Sequence, residues 1–224
     1  MQIEDMPMVR VFFSKTGRAK YTSHLDTVRT LSRAFKRSGL PVWYTQGFNP
    51  HIYMNFALPI ALGYESKAES VDVRLTREVP FDTVVEKLNH ALPPGLEAIR
   101  AAAPEKTASS ITWADYDVRL VYEDVSIQEV KQRFDAFWAQ PVIETQKKTK
   151  KGEKTIDLKP LSQVLSAECA ENVLLLKLRM ASGITENVNP TLFLKAFYTW
   201  ANVQPDGVKI IRTAILDEKL KDFA

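Results

Sequence analysis

In the first half of the chain, the spacing of hydrophobic positions predicts the order strand, helix, strand, strand, helix, strand. A glycine at position 39 and a proline at position 41 end the first helix. The apolar side chains of this helix are predicted to share one face: Leu25, Val28, Leu31, Ala34 and Phe35. The other elements are predicted, in chain order, at residues 9–13, 42–44, 70–75, 81–92 and 96–101, and the segment 52–56 follows the turn after the second strand.

The second half repeats this order after a polar segment at 104–110. Its strands are predicted at 116–122 and 173–180, its helices begin near Ser126 and Asn189, and a basic hairpin turns around Gly152. The closing strands also resemble each other in sequence, since PGLEAIR at 94–100 corresponds to DGVKIIR at 206–212. This agreement indicates a duplication. We therefore predict an α+β fold of tandem ferredoxin-like βαββαβ units, each with an antiparallel sheet, over residues 9–103 and 110–216.

Composition narrows the class of protein. The chain has 224 residues, of which 45% are hydrophobic and 25% charged, as is usual for a globular protein. Its lone cysteine, Cys169, cannot form an internal disulfide or supply a cysteine-ligated cluster. We find no glycine-rich phosphate loop and no His–Glu metal motif, so we expect neither cofactor nor metal. With no secretory signal and no run of about 20 apolar residues, we expect a cytoplasmic protein without a membrane partner.

Positive charge is concentrated between residues 9 and 55. This stretch carries eight Lys and Arg and one acid, Asp26, a balance of +7 in a chain whose total is +3. Aromatic residues are interleaved with the bases, and this combination suits a polyanion with stackable bases, namely RNA. A solvated helix face above core aromatics would give the same pattern, and charge alone does not separate the two interpretations.

The positions that we predict to contact RNA lie in four places: the loop after the first strand, the outer face of the first helix, the turn at 46–51 and the hairpin tip. They are Lys15, Arg18, Arg29, Arg33, Lys36, Arg37, Gln46, Phe48, Asn49, His51, Lys148 and Lys151. The loop is also explained as a plain polar turn, and lysines on a hairpin tip also prevent association of sheet edges.

A catalytic alternative involves Tyr21, His24 and a lysine, either Lys20 or Lys36. Such groups can cleave RNA without a metal, because one activates the 2′-hydroxyl while another protonates the leaving oxygen. The competing interpretation is that His24 makes local hydrogen bonds near a helix start, where Asp26 interacts favourably with the helix dipole. We favour this second interpretation and expect no catalytic residues.

Several motifs together resemble a radical SAM-linked family of bacterial proteins, a domain of unknown function (DUF2344). They span residues 13–19, 23–26, 37–41, 46–51, 62–66 and, more loosely, 156–160. Such domains occur fused to, or beside, radical SAM proteins with a cobalamin-binding-like region. Since this chain lacks a cysteine triad, the resemblance implies an accessory partner of the radical enzyme.

From charge and resemblance together we expect an RNA-binding accessory protein that acts with a radical SAM partner in tRNA or rRNA processing or modification. Two alternatives stay open at this point. Tandem ferredoxin-like units are also similar to the Cas6-type CRISPR endoribonucleases, which suggests a metal-independent nuclease. The second alternative is a protein-interaction scaffold.

Overall fold

A computed structural model describes residues 6–149, 152–184 and 186–223. These residues form two compact units, one that ends at Ala108 and one that runs from Ser109 to Phe223. Within these ranges, no helix is both long enough and apolar enough to cross a membrane.

The first unit is a four-stranded antiparallel sheet with two helices. Its elements are β1 Met8–Lys15, α1 His24–Arg37, β2 Met54–Phe56, β3 Glu65–Arg74, α2 Phe81–Asn89 and β4 Leu96–Ala102. The strands lie in the order β4-β1-β3-β2. One buried cluster joins Val11 and Val71 of the sheet to Phe35 of α1 and Leu88 of α2. Both helices therefore cover the same face of the sheet.

The second unit has the same plan with one insertion. Its elements are β5 Ile111–Val121, α3 Ile127–Trp138, β6 Glu144–Thr149, β7 Gly152–Asp157, β8 Ser162–Ala170, β9 Val173–Ala181, α4 Pro190–Ala201 and β10 Gly207–Asp217. The main strands lie in the order β10-β5-β9-β8, while β6 and β7 form a separate two-stranded sheet. Rings of Phe134 and Phe137 on α3 contact Phe193 and Phe197 on α4, with centroids 5.2 to 6.4 Å apart.

The predicted fold class is confirmed: each unit is a βαββαβ unit with an antiparallel sheet. Two details differ from the prediction. The edge strand β8 was not predicted, because its sequence SQVLSAECA is polar and mostly exposed and lacks a clean alternation. In the first unit, the predicted strand at 42–44 reduces to isolated bridges at Val42 and Tyr44, and the segment 52–56 contains the three-residue β2 instead.

The predicted apolar face of α1 was wrong at its first position. Leu25 is 55% exposed. The buried positions of this helix are Thr27, Leu31, Ala34 and Phe35, with spacings of four, three and one. Leu25 precedes Thr27 by two residues, about 200° around the helix axis, so it lies on the far side from the core.

Candidate nucleic-acid interface

The start of α1 is fixed by a reciprocal pair of hydrogen bonds between Ser23 and Asp26. The Ser23 hydroxyl accepts from the backbone N–H of Asp26 at 3.1 Å, and the Asp26 carboxylate accepts from the Ser23 backbone N–H at 3.3 Å and its hydroxyl at 2.6 Å. This is a capping box with aspartate at its third position. It satisfies donors that the first helical turn leaves free and so sets the direction in which α1 runs.

We expect Ser23→Ala to lower the free energy of unfolding by about 1 kcal/mol, because a capping hydroxyl is lost. The pKa of Asp26 lies below its ordinary value, mainly because the Ser23 hydroxyl and backbone N–H donate to the charged carboxylate. Its contribution to stability is therefore present above the unfolded-state pKa and is lost as the pH falls through the folded-state pKa. An NMR titration of the Asp26 carboxyl should show its pKa rising towards the ordinary value in Ser23→Ala, and an unchanged pKa would contradict the cap.

The outer face of α1 carries four exposed bases: Arg29, Arg33, Lys36 and Arg37. Arg29 lies 3.7 Å from the Asp26 carboxylate. Arg37 donates to the carbonyl of Ala91 at 2.6 Å, which ties it to the end of α2. In the part of the chain that the structure describes, the side chains of Arg33 and Lys36 have no hydrogen bond and no ion pair. Two cations on this face are therefore available to an external anion.

Among the described residues, neither α2 nor α3 presents a group of bases without nearby acids. On α3, Lys131 is paired with Asp135 at 2.6 Å, and Arg133 is paired with Glu129. The first-unit helix α2 carries one lysine and two acids, whereas α1 carries four bases and one acid. Because the bases of α3 have acids one turn away and those of α1 mostly do not, the solvated-face interpretation explains α3 better than α1.

The turn at 46–51 lies at the tip of an excursion from the sheet edge. Val42 forms a bridge with Leu75, just beyond the end of β3. The chain then runs away from this strand and pairs with it again from Met54. His51 holds the turn closed, since its Nδ1 lies 3.1 Å from the Thr45 hydroxyl and 3.0 Å from the Asn49 carbonyl, and its backbone N–H donates to the same hydroxyl.

This closed turn displays Phe48 with an exposed fraction of 107%, the highest among the large hydrophobic side chains that the structure describes. The neighbouring Gln46, Asn49 and His51 are also exposed. Because the ring is fully exposed, folding removes none of its apolar surface from water. The arrangement is suited to stacking on a partner.

Lys15 does not lie on this surface. It is almost fully buried, and its ammonium donates to the carbonyl of Thr22 at 2.7 Å. Burial lowers the pKa of Lys15, while attraction to Glu69 and Asp26 opposes that lowering. The sequence prediction placed it in a donor-rich loop, but Lys15 is the last residue of β1 and its side chain points inward. Arg18, three residues further on, is exposed and stays in the proposed surface.

The structure does not bring Lys36 to the other residues of the catalytic alternative. Tyr21 is 69% exposed with the Lys20 ammonium 5.1 Å from its ring centroid, and the His24 ring packs edge-on against Phe56 with centroids 5.0 Å apart. Lys36 follows His24 by twelve residues on the same helix, which places it about 18 Å further along the axis. It therefore cannot act at the same phosphate as Tyr21 and His24. Among the described residues, no group of His, Cys, Asp and Glu is placed to hold a metal ion.

The hairpin β6–β7 contributes to a second surface. Lys148 is exposed and lines a groove of about 1100 Å³ between the hairpin and α4, while Lys151 lies outside the described residues. The groove is also lined by Lys195 and Trp200 of α4, which our sequence prediction omitted. A signal for Lys195 exists in the sequence: Thr191, Lys195 and Thr199 form a polar stripe at a spacing of four on an otherwise apolar helix.

Comparison with known proteins identifies one family. The family described as "Uncharacterized protein conserved in bacteria (DUF2344)" matches residues 8–190. No curated protein matches the sequence. The solved structure titled "Crystal Structure of a Cbf5-Nop10-Gar1 Complex" gives a TM-score of 0.48 at 11% identity, covering 92% of this chain and 48% of that one. The chain thus spans about half the length of that structure's chain, and a likeness of this degree carries no argument.

Proposed function

We propose that this chain, which belongs to the bacterial family DUF2344, is a cytoplasmic RNA-binding accessory protein that acts with a radical SAM partner in tRNA or rRNA processing or modification. The observation that carries the RNA-binding part is a pair of cations on α1, Arg33 and Lys36, whose side chains have no partner among the described residues. They lie in the same unit as the exposed ring of Phe48. Cations hold phosphate, and an exposed ring stacks on an unpaired base.

The electrostatics of the first unit support this proposal. The bases of α1 lie at spacings of three, four, seven and eight, so they share one side of the helix. The side chains that hold α1 in place, Leu31, Ala34 and Phe35, lie on the opposite face in the core. The basic face can therefore meet phosphate without disturbing the packing of the helix.

Support for a radical SAM partner comes from the resemblance of the motifs at 13–19, 23–26 and 46–51 to radical SAM-linked proteins. With one cysteine in the chain, the iron–sulfur chemistry has to reside in the partner. Co-expression of the chain with the radical SAM proteins of the same bacterium, followed by affinity purification and chemical cross-linking, tests this part. A purified partner that neither co-elutes nor cross-links would refute it.

Binding of labelled tRNA and rRNA fragments to the purified protein in EDTA tests the RNA-binding part. We expect binding that weakens steeply with salt, because phosphate contacts release counterions, and we expect intact RNA. Cleavage that is lost in His24→Ala would favour the endoribonuclease instead. Absence of binding at about 50 mM salt, with partner association retained, would favour the scaffold.

Replacing Phe48 with alanine should weaken RNA binding by roughly 1–3 kcal/mol, as expected for the loss of one stacked base. The free energy of unfolding should stay the same, because the ring is fully exposed. Fluorescence anisotropy measures the affinity and urea titration the stability. Phe81→Ala, which removes a partly exposed ring on α2, is the matched control and should retain full affinity. Equal affinities of the wild type and Phe48→Ala would exclude a stacking role.

A further inference from the structure

The groove between the β6–β7 hairpin and α4 has an apolar floor and a polar rim. The floor is formed by one stripe of α4, Leu192, Ala196 and Trp200, and the near rim by the adjacent stripe with Lys195. The hairpin supplies the far rim, from which the Lys147 ammonium reaches across to donate to the carbonyl of Asn187. The volume of about 1100 Å³ is at the upper end of the range for small-molecule sites, and the groove is open rather than enclosed.

Trp200 has the geometry of a stacking platform. Its side chain is 47% exposed, although it belongs to an aromatic cluster, and its ring centroid lies 5.8 Å from that of Phe137. Phe137 itself is buried and is fixed by Phe193 and Phe197. The core thus supports the indole from within, while the groove leaves part of the ring uncovered.

The rim carries two lysines whose side chains have no hydrogen bond or ion pair within the described ranges, Lys148 and Lys195. Two acids, Glu144 and Glu153, also line the groove. Among the described residues that line the groove, Lys147, Lys148 and Lys195 nevertheless outnumber these two acids, a balance of +1. This excess favours an anionic occupant.

We propose that this groove binds single-stranded RNA, with the backbone along Lys148 and Lys195 and one base stacked on Trp200. A positively charged groove with an aromatic platform is the arrangement by which proteins hold single strands. A duplex does not fit the same chemistry, because its bases are already stacked and cannot reach the indole. The inference rests on the proposed function and adds the class of RNA and a contact in the second unit.

The test compares one short RNA, single-stranded and annealed to its complement, for binding to the full chain by fluorescence anisotropy. We expect tighter binding of the single strand.

Trp200→Ala should lower the affinity for the single strand by about 5- to 150-fold, whereas Trp200→Phe should retain most of it. Lys195→Glu should also lower this affinity, without affecting thermal unfolding. Lys87→Glu, an exposed lysine on α2, is the charge-matched control.

Tryptophan fluorescence tests whether a base of the RNA stacks on Trp200. The chain has four tryptophans, and stacking of a base on Trp200 should quench part of their emission in the wild type but not in Trp200→Phe. If Trp200→Phe shows the same quench and Lys195→Glu the same affinity as the wild type, the groove proposal is wrong. If Trp200→Ala and Lys195→Glu bind normally while charge reversal on α1 abolishes binding, the RNA-binding function stands without the groove. Absence of RNA binding by the wild type would overturn both.

Discussion

Replacing Arg33 and Lys36 together with glutamate should reduce the affinity of the protein for RNA on the order of 10- to 100-fold at about 50 mM salt. These are the two α1 bases without a partner among the residues that the structure describes, so they are the most available to phosphate. The slope of log K against log salt is negative, and each lost phosphate contact makes it shallower by about 0.7 on a single strand and about 0.9 on a duplex. For two lost contacts we expect a slope that is shallower by about 1.4 to 1.8.

The double variant changes only bases whose side chains have no hydrogen bond or ion pair among the described residues. Arg37 is left unchanged because its guanidinium donates to the carbonyl of Ala91, so a loss of affinity in Arg37→Glu would be mixed with a change in structure. Lys87→Glu serves as the control for net charge. The loss should be similar for all RNA sequences, because phosphate contacts carry little sequence information. If the double variant and the wild type have the same salt slope, α1 is not the phosphate-binding surface.

The fold was predictable from the sequence because its strongest signals are local. The β9 sequence VLLLKLRMA and the stripe Leu31, Ala34 and Phe35 of α1 are periodic, and the breakers Gly39 and Pro41 lie where the helix ends. The strand β8 had no such signal: it is polar and mostly exposed, and it is held by its ladder with β9 rather than by its own pattern. Pairing at a sheet edge is a tertiary effect that short-range periodicity does not report.

The candidate site was predictable only as a set of residue types. Sequence places Lys15 in a polar loop, but its burial depends on the direction of one side chain at the end of β1. Similarly, His24 and Lys36 are candidates by chemistry, yet one helix separates them by about 18 Å. The groove joins Lys148 to Trp200, which are 52 positions apart in the sequence. Such contacts between distant segments follow from topology, which the residue pattern alone does not specify.

Truncation of Phe137 to alanine should have the largest effect on stability, a loss of about 3–5 kcal/mol in the free energy of unfolding. Its ring is only 2% exposed and contacts Phe134, Phe193, Phe197 and Trp200, so its removal leaves a cavity that rigid aromatic neighbours cannot fill. Part of the loss is the transfer free energy of the ring, and part is the cavity itself.

Urea unfolding of the full chain, followed by far-UV circular dichroism, measures this effect. Because the chain has two compact units, we expect the loss in the transition that involves the second unit, with the first unit unfolding as in the wild type. Phe48→Ala is the matched control: it removes the same side chain from a fully exposed position and should leave both units as stable as before. A loss below about 1 kcal/mol in Phe137→Ala would show that the α3–α4 interface can close around the missing ring. Trp200, which rests on Phe137, would then have a looser support than the proposed stacking platform requires.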